Sequence, residues 1–115
     1  MELNDYQQQA MKTCTPSSRN FGYMALNLTA EVGEAMGKVA KAIRKEGAII
    51  RNNHLEGLSE HQRIELAYEL GDVLWQLAGL SRVCGFDLEY IATQNLTKLA
   101  DRQQRGTIVG EGDHR

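Results

Sequence analysis

Two short segments of the chain carry paired acids at the same spacing: Glu31 and Glu34 in EVGE, and Glu69 and Asp72 in ELGD. On a helix, residues three apart sit one turn apart on nearly the same side, so the two acids of each pair project together. Neither pair falls on the far, solvated side of its helix. Glu31 follows Leu28 by three, and Asp72 is flanked by Leu70, Val73 and Leu74. Carboxylates that border an apolar stripe are costly to bury unpaired, and a cation between the two helices removes that cost. Four carboxylates offer only hard oxygen ligands, which suits Mg2+ or Mn2+ rather than Zn2+, whose preferred partners are nitrogen and sulfur. A solitary E-x-x-E is also the ordinary signature of a solvated helix face. Here two matched pairs border apolar stripes, and each contains an interior glycine, Gly33 or Gly71. A helical glycine costs about 1 kcal/mol relative to alanine, and close approach of two backbones beside the acids is the expected reason for both.

A second constellation lies near the C-terminus. Ile91, Asn95, Lys98 and Arg102 follow one another at spacings of four, three and four, and Arg105 extends the ridge. Leu88, Ala92, Leu96 and Leu99 form the expected core face beside it. Lysine and arginine so placed can hold phosphate oxygens, arginine in a bidentate way. The same residues also make an ordinary solvated face, with positive charge favoured near a helix C-terminus. A further basic group, Lys38, Lys41, Arg44, Lys45 and Arg51, follows the first acidic pair, and Lys38 can pair with Glu34 one turn before it. Acidic centres with basic flanks suit a metal-bound polyphosphate. No G-x-x-x-x-G-K-[ST] loop is present, so a P-loop mechanism is excluded. Trp75 and Tyr23 are the aromatic candidates for stacking on a base, although a helical tryptophan also serves packing.

Four helices must position these residues. The first spans 3–13 and is broken by CTPSSRN; the second runs from about 24 to 46, with Leu28, Val32, Ala35, Met36, Val39 and Ile43 as its apolar face. EGAIIRNNHLEGLSE reads as a loop. Ser59 with Gln62 three residues later forms a capping box for the third helix, whose apolar side is Leu66, Leu70, Val73, Leu74, Leu77, Ala78 and Ser81. CGFD ends that helix on Gly85 and caps the fourth with Asp87; the fourth helix runs from about 88 to 104 and stops at Gly106. The fold expected is all-α: a single antiparallel four-helix bundle over residues 1–106, with 107–115 as a mobile tail. Four modest helices make a thin core, so burial against a second subunit is expected.

Composition narrows the classes. The chain has 115 residues, 42% hydrophobic and 24% charged, which fits one folded soluble domain. Its net charge of −2 disfavours a nucleic-acid partner. MELNDYQQQA has no signal-peptide pattern, and no apolar run reaches the roughly 20 residues needed to span a membrane. Cys14 and Cys84 lie far apart in no metal-like spacing, as expected of free thiols in a reducing cytoplasm.

The order E-x-x-E, then E-L-G-D-V-L-W, then N-x-x-K-x-x-x-R, on four helices, resembles the MazG-like all-α nucleoside triphosphate pyrophosphohydrolases. That superfamily includes dimeric dUTPases and phosphoribosyl-ATP pyrophosphohydrolases. The similarity runs from about Leu26 into the tail, and NLTKLADRQQRG followed by GEGDHR is similar to short MazG-like proteins of bacteria and phages. The resemblance implies Glu31, Glu34, Glu69 and Asp72 as Mg2+ ligands, with Mn2+ as a substitute. It implies Asn95, Lys98 and Arg102 as nucleotide contacts, cleavage between the α and β phosphates, and a homodimer or homotetramer. In the mechanism it suggests, Glu34 accepts the attacking water's proton, Glu69 holds metal, and Lys98 with Arg102 offsets charge on leaving pyrophosphate. One departure is that thirty-four residues separate Glu34 from Glu69, more than is usual in the family, the extra length being the EGAIIRNNHLEGLSE segment. Two rivals stand beside this reading. A di-iron bundle needs Glu-x-x-His pairs on two helices, whereas the chain has only Glu111 with His114, in the tail. A non-catalytic helical dimer or adaptor explains the helices but not the paired acids.

Overall fold

Two long helices set the frame. The computed structural model describes residues 1–115, with α1 (Leu3–Met11), α2 (Phe21–Lys45), α3 (Glu60–Val83) and α4 (Leu88–Arg105). α2 begins three residues earlier than its apolar pattern predicts, because Asn20 caps it: its side-chain oxygen accepts the Tyr23 N–H at 2.7 Å. α3 starts on the expected capping box, with Ser59 and Gln62 bonded reciprocally. It ends as expected on left-handed Gly85 (φ +84°). There the Phe86 N–H bonds the Ser81 carbonyl at 2.8 Å and the Gly85 N–H bonds Arg82 at 2.9 Å, which satisfies the last open carbonyls of the helix. Asp87 caps α4 through the Tyr90 N–H.

α2 and α3 run antiparallel. Met24 meets Gly79, Lys38 meets Glu65 and Glu46 meets Gln62, so numbers rise on one helix as they fall on the other. α1 lies against α3, and α4 packs on α1. The segment expected to be a loop instead forms a β-hairpin, β1 (Ile49–Arg51) with β2 (His54–Glu56), in the register Ile49–Glu56, Ile50–Leu55 and Arg51–His54. Asn52 and Asn53 make its two-residue turn at φ +51° and +64°. Asparagine tolerates this left-handed region, and two such residues give a turn whose twist matches the strands. The signal was the NN pair between two short apolar runs.

The core is small and lies at one end. Ala10, Met11, Cys14, Met24, Ala78 and Leu88 are buried together, with Tyr6, Trp75 and Leu80 packed around them. Only 14 of 115 residues are buried, and the radius of gyration is 17.2 Å, against about 13 Å for a compact chain near this length. Much of the predicted apolar faces is therefore uncovered within one chain. Ala35 is buried and Leu28 and Val39 are half-buried, whereas Val32, Met36 and Ile43 are exposed; so are Leu70, Leu74 and Leu77 of α3, and Leu96 and Leu99 of α4. The all-α fold is as expected, and within one chain α4 packs on α1, so these stripes have no cover.

The glycine expectation is corrected. A Cβ at Gly33 or Gly71 would meet nothing within 4 Å, so neither is a close-approach position in this chain. The close approach is at Gly79, where a Cβ would lie 2.5 Å from the Sδ of buried Met24. Both cysteines are free thiols, as expected. No helix is long and apolar enough to cross a membrane.

Candidate metal centre

The antiparallel register brings the two acidic pairs face to face. Carboxylate oxygens of Glu31, Glu69 and Asp72 lie within 4.8 Å of one another. Glu31 and Glu69 are half-buried and Asp72 is exposed. One oxygen of each half-buried acid, Glu31 Oε2 and Glu69 Oε2, is fully buried and has no hydrogen-bond donor. Buried carboxylate oxygens without donors carry an uncompensated desolvation cost. Three hard oxygen donors at this spacing fit a small divalent cation, whose ligands sit at about 2.1 Å.

Glu34 is exposed and lies outside the three-carboxylate group, near enough for its charge to act on Glu31. The Glu31 carboxyl is held above the ordinary carboxylate range, first by burial and then by the negative charges of Glu34, Asp72 and Glu69. A glutamate with a raised folded pKa binds its proton more tightly folded than unfolded. Its contribution is therefore favourable at low pH and is lost as pH rises from the ordinary value of 4.5 through the raised one. In metal-free protein, Glu31→Gln is expected to remove this part of the pH dependence and to raise the melting temperature at neutral pH. Thermal melts in chelator at pH 5 and pH 7 check it; an unchanged or lower melting temperature at pH 7 argues against a strained acidic centre.

The neighbours of the cluster are partly unexpected. Lys38 does not turn back to Glu34. It crosses to α3, with Nζ 3.6 Å from both Glu69 Oε1 and Glu65 Oε2, because the interhelical partners offer two carboxylates. Glu65 is also paired with His61 at 3.0 Å and is not one of the three clustered carboxylates. Asn27 Nδ2 lies 3.5 Å from Glu31 Oε1 and from the Tyr23 hydroxyl; its place one turn before Glu31 was the legible signal. Tyr6 of α1 sits close enough to Asp72 that its hydroxyl is held above the usual range, by burial first and then by that charge. Nothing local in the sequence links Tyr6 to the acids.

The basic ridge is elsewhere. Asn95 is exposed on α4, beside an open hollow lined by Phe86, Tyr90, Ile91, Gln94 and Lys98. Lys98 and Arg102 form ion pairs with Asp113 of the tail, at 3.1 and 3.2 Å. Trp75 is anchored to α1: its indole N–H donates to the Ala10 carbonyl at 3.1 Å and to Thr13 Oγ1 at 2.9 Å. That uses its single donor and gives it a packing role.

The fold and the site thus combine four helices with a cluster of three carboxylates, Glu31, Glu69 and Asp72, on the antiparallel α2–α3 pair. Residues 20–107 match the MazG nucleotide pyrophosphohydrolase domain. The chain is 37% identical over 100 residues to the Gene 37 protein of Mycobacterium phage L5, a match covering 86% of this chain and 80% of that protein. No solved structure matches. The chain belongs to the MazG family.

Proposed function

We propose that this chain is a Mg2+-dependent nucleoside triphosphate pyrophosphohydrolase, cleaving between the α and β phosphates to a nucleoside monophosphate and pyrophosphate. The observation that carries this reading is the pair of buried, donorless oxygens, Glu31 Oε2 and Glu69 Oε2, inside a three-carboxylate cluster. Glu31, Glu69 and Asp72 would hold the cation, with Glu34, outside that three-carboxylate group, acting beside them. A divalent cation supplies positive charge to polyphosphate oxygens and makes water a better nucleophile at neutral pH; Mn2+ shares the ligand preference and is expected to substitute. Glu34, exposed, accepts the proton of the attacking water as that water's oxygen bonds to the α phosphorus and pyrophosphate departs. Lys98, Asn95 and Arg102 hold the outer phosphates and offset the charge of the leaving group. Tyr23 offers an open ring for the base, and Trp75 supports the site by packing.

The acids lie on α2 and α3, whereas the ridge lies on α4, which packs on α1. A second copy completes this arrangement in our reading. The uncovered Val32, Met36, Leu70 and Leu74 supply an apolar surface for it, and the assembly is a homodimer or homotetramer of the reducing cytoplasm. The test is pyrophosphate release with Mg2+ across a panel of NTPs, dNTPs and phosphoribosyl-ATP. Release from at least one of them, abolished by chelator, is expected. Silence across the panel, together with no saturable Mn2+ binding, favours a non-catalytic helical adaptor.

A further inference from the structure

The two cations assigned to phosphate are already engaged by an anion of the same chain. After Gly106, at φ +72°, the tail turns back along α4 instead of leaving it. One carboxylate oxygen, Asp113 Oδ1, accepts from Lys98 Nζ at 3.1 Å and from Arg102 Nη2 at 3.2 Å. The Arg102 side chain is only 6% exposed, and its Nη2 also donates to the Asp113 carbonyl at 3.0 Å. Arg115 closes the strap on itself: its guanidinium donates to the carbonyls of Thr107 and Ile108, each at 3.1 Å, and to that of Gly112. Arg105 in turn donates to the terminal Arg115 carbonyl.

We propose that residues 107–115 are an autoinhibitory strap, in which Asp113 stands on Lys98 and Arg102 where phosphate oxygens of a nucleotide bind. This rests on the functional reading above and adds the regulation of the same site. An oxygen anion shared between an ammonium and a guanidinium has the chemistry of a bound phosphoryl oxygen. Asp113 brings one negative charge, whereas a triphosphate brings several, so a polyphosphate displaces it by mass action. Release is local. The strap is held by polar contacts, its apolar residues Ile108 and Val109 are exposed, and the Asp113 side chain is 76% exposed, so little buried surface is lost on opening.

The test uses the full chain and inorganic tripolyphosphate without metal, measured by titration calorimetry. Asp113→Asn is expected to bind tripolyphosphate about tenfold more tightly than the native chain. Arg115→Ala, which opens the strap without touching Lys98 or Arg102, is expected to move binding the same way. In the pyrophosphate-release assay, Asp113→Asn is expected to lower KM with kcat retained. Unchanged or weaker tripolyphosphate binding in both variants overturns the strap, whatever the activity. A fall in kcat also overturns it, since it makes the tail part of the working site. If no nucleotide is cleaved but both variants bind tripolyphosphate more tightly, the strap stands and the enzymatic reading falls.

Discussion

Glu69→Gln is expected to lower Mg2+-dependent pyrophosphate release by about a hundred- to a thousandfold, with the fold intact. Altering even an outer partner of a metal ligand typically costs 10- to 100-fold, and Glu69 is proposed as a ligand itself. Its Oε2 is buried, has no donor, and shares a cluster with Glu31 and Asp72. Glutamine keeps the shape, but it removes the charge and can place an N–H group, which repels a cation, where an anionic oxygen stood. The same substitution takes one negative charge from a crowded centre, so metal-free protein is not expected to lose stability. Steady-state pyrophosphate release and Mn2+ titration, run beside thermal melts, separate the two effects. Full activity with undiminished Mn2+ affinity in the variant places the metal elsewhere.

Gln7→Leu carries the largest expected effect on stability, about 3 kcal/mol, or roughly 12 °C in melting temperature for a domain this size. Gln7 is 3% exposed. Its amide donates to the Ala78 carbonyl at 3.1 Å and the Phe86 carbonyl at 3.2 Å, and its Oε1 accepts the Leu88 N–H at 3.1 Å. One side chain of α1 thus ties the end of α3 to the start of α4. Asn4, one turn earlier, accepts the Glu89 N–H at 3.0 Å and donates to the Glu89 carboxylate. Leucine fills the space but leaves a buried N–H at the α4 terminus without a partner, which is where the cost falls. Denaturant unfolding measures it; a loss below about 0.5 kcal/mol, the range of a surface substitution, shows that α4 does not depend on this bracket.

How much was readable in advance depended on how far apart the cause and its effect lie along the chain. The capping box at Ser59 and Gln62, the Gly85 stop and the Asp87 cap involve neighbours a few residues apart, and each was legible. The hairpin was missed although Asn52–Asn53 marks its turn, because two three-residue strands are too short to show alternation. Acids three apart share a helix face by geometry alone, so the two pairs were visible as units. That Glu31 meets Glu69 and Asp72, with Glu34 outside that group, depends on the stagger of α2 against α3, which no local spacing records.

The remainder belonged to the tertiary structure. Gly33 and Gly71 suggested close approach through their place beside the acids, but what stands opposite a glycine is a long-range fact, and the tight contact is at Gly79. Asn4 and Gln7 read as part of a polar helix until α4 supplied the N–H groups that they bond. Lys98 and Arg102 read as a ridge awaiting an anion until the tail supplied Asp113. The sequence by itself determined helices, caps and paired carboxylates, since these depend on periodicity and on groups within one turn of each other. Which polar groups face across helices, and which apolar stripes stay uncovered, was decided only when the chain packed, because those contacts depend on stagger and crossing between segments distant in sequence.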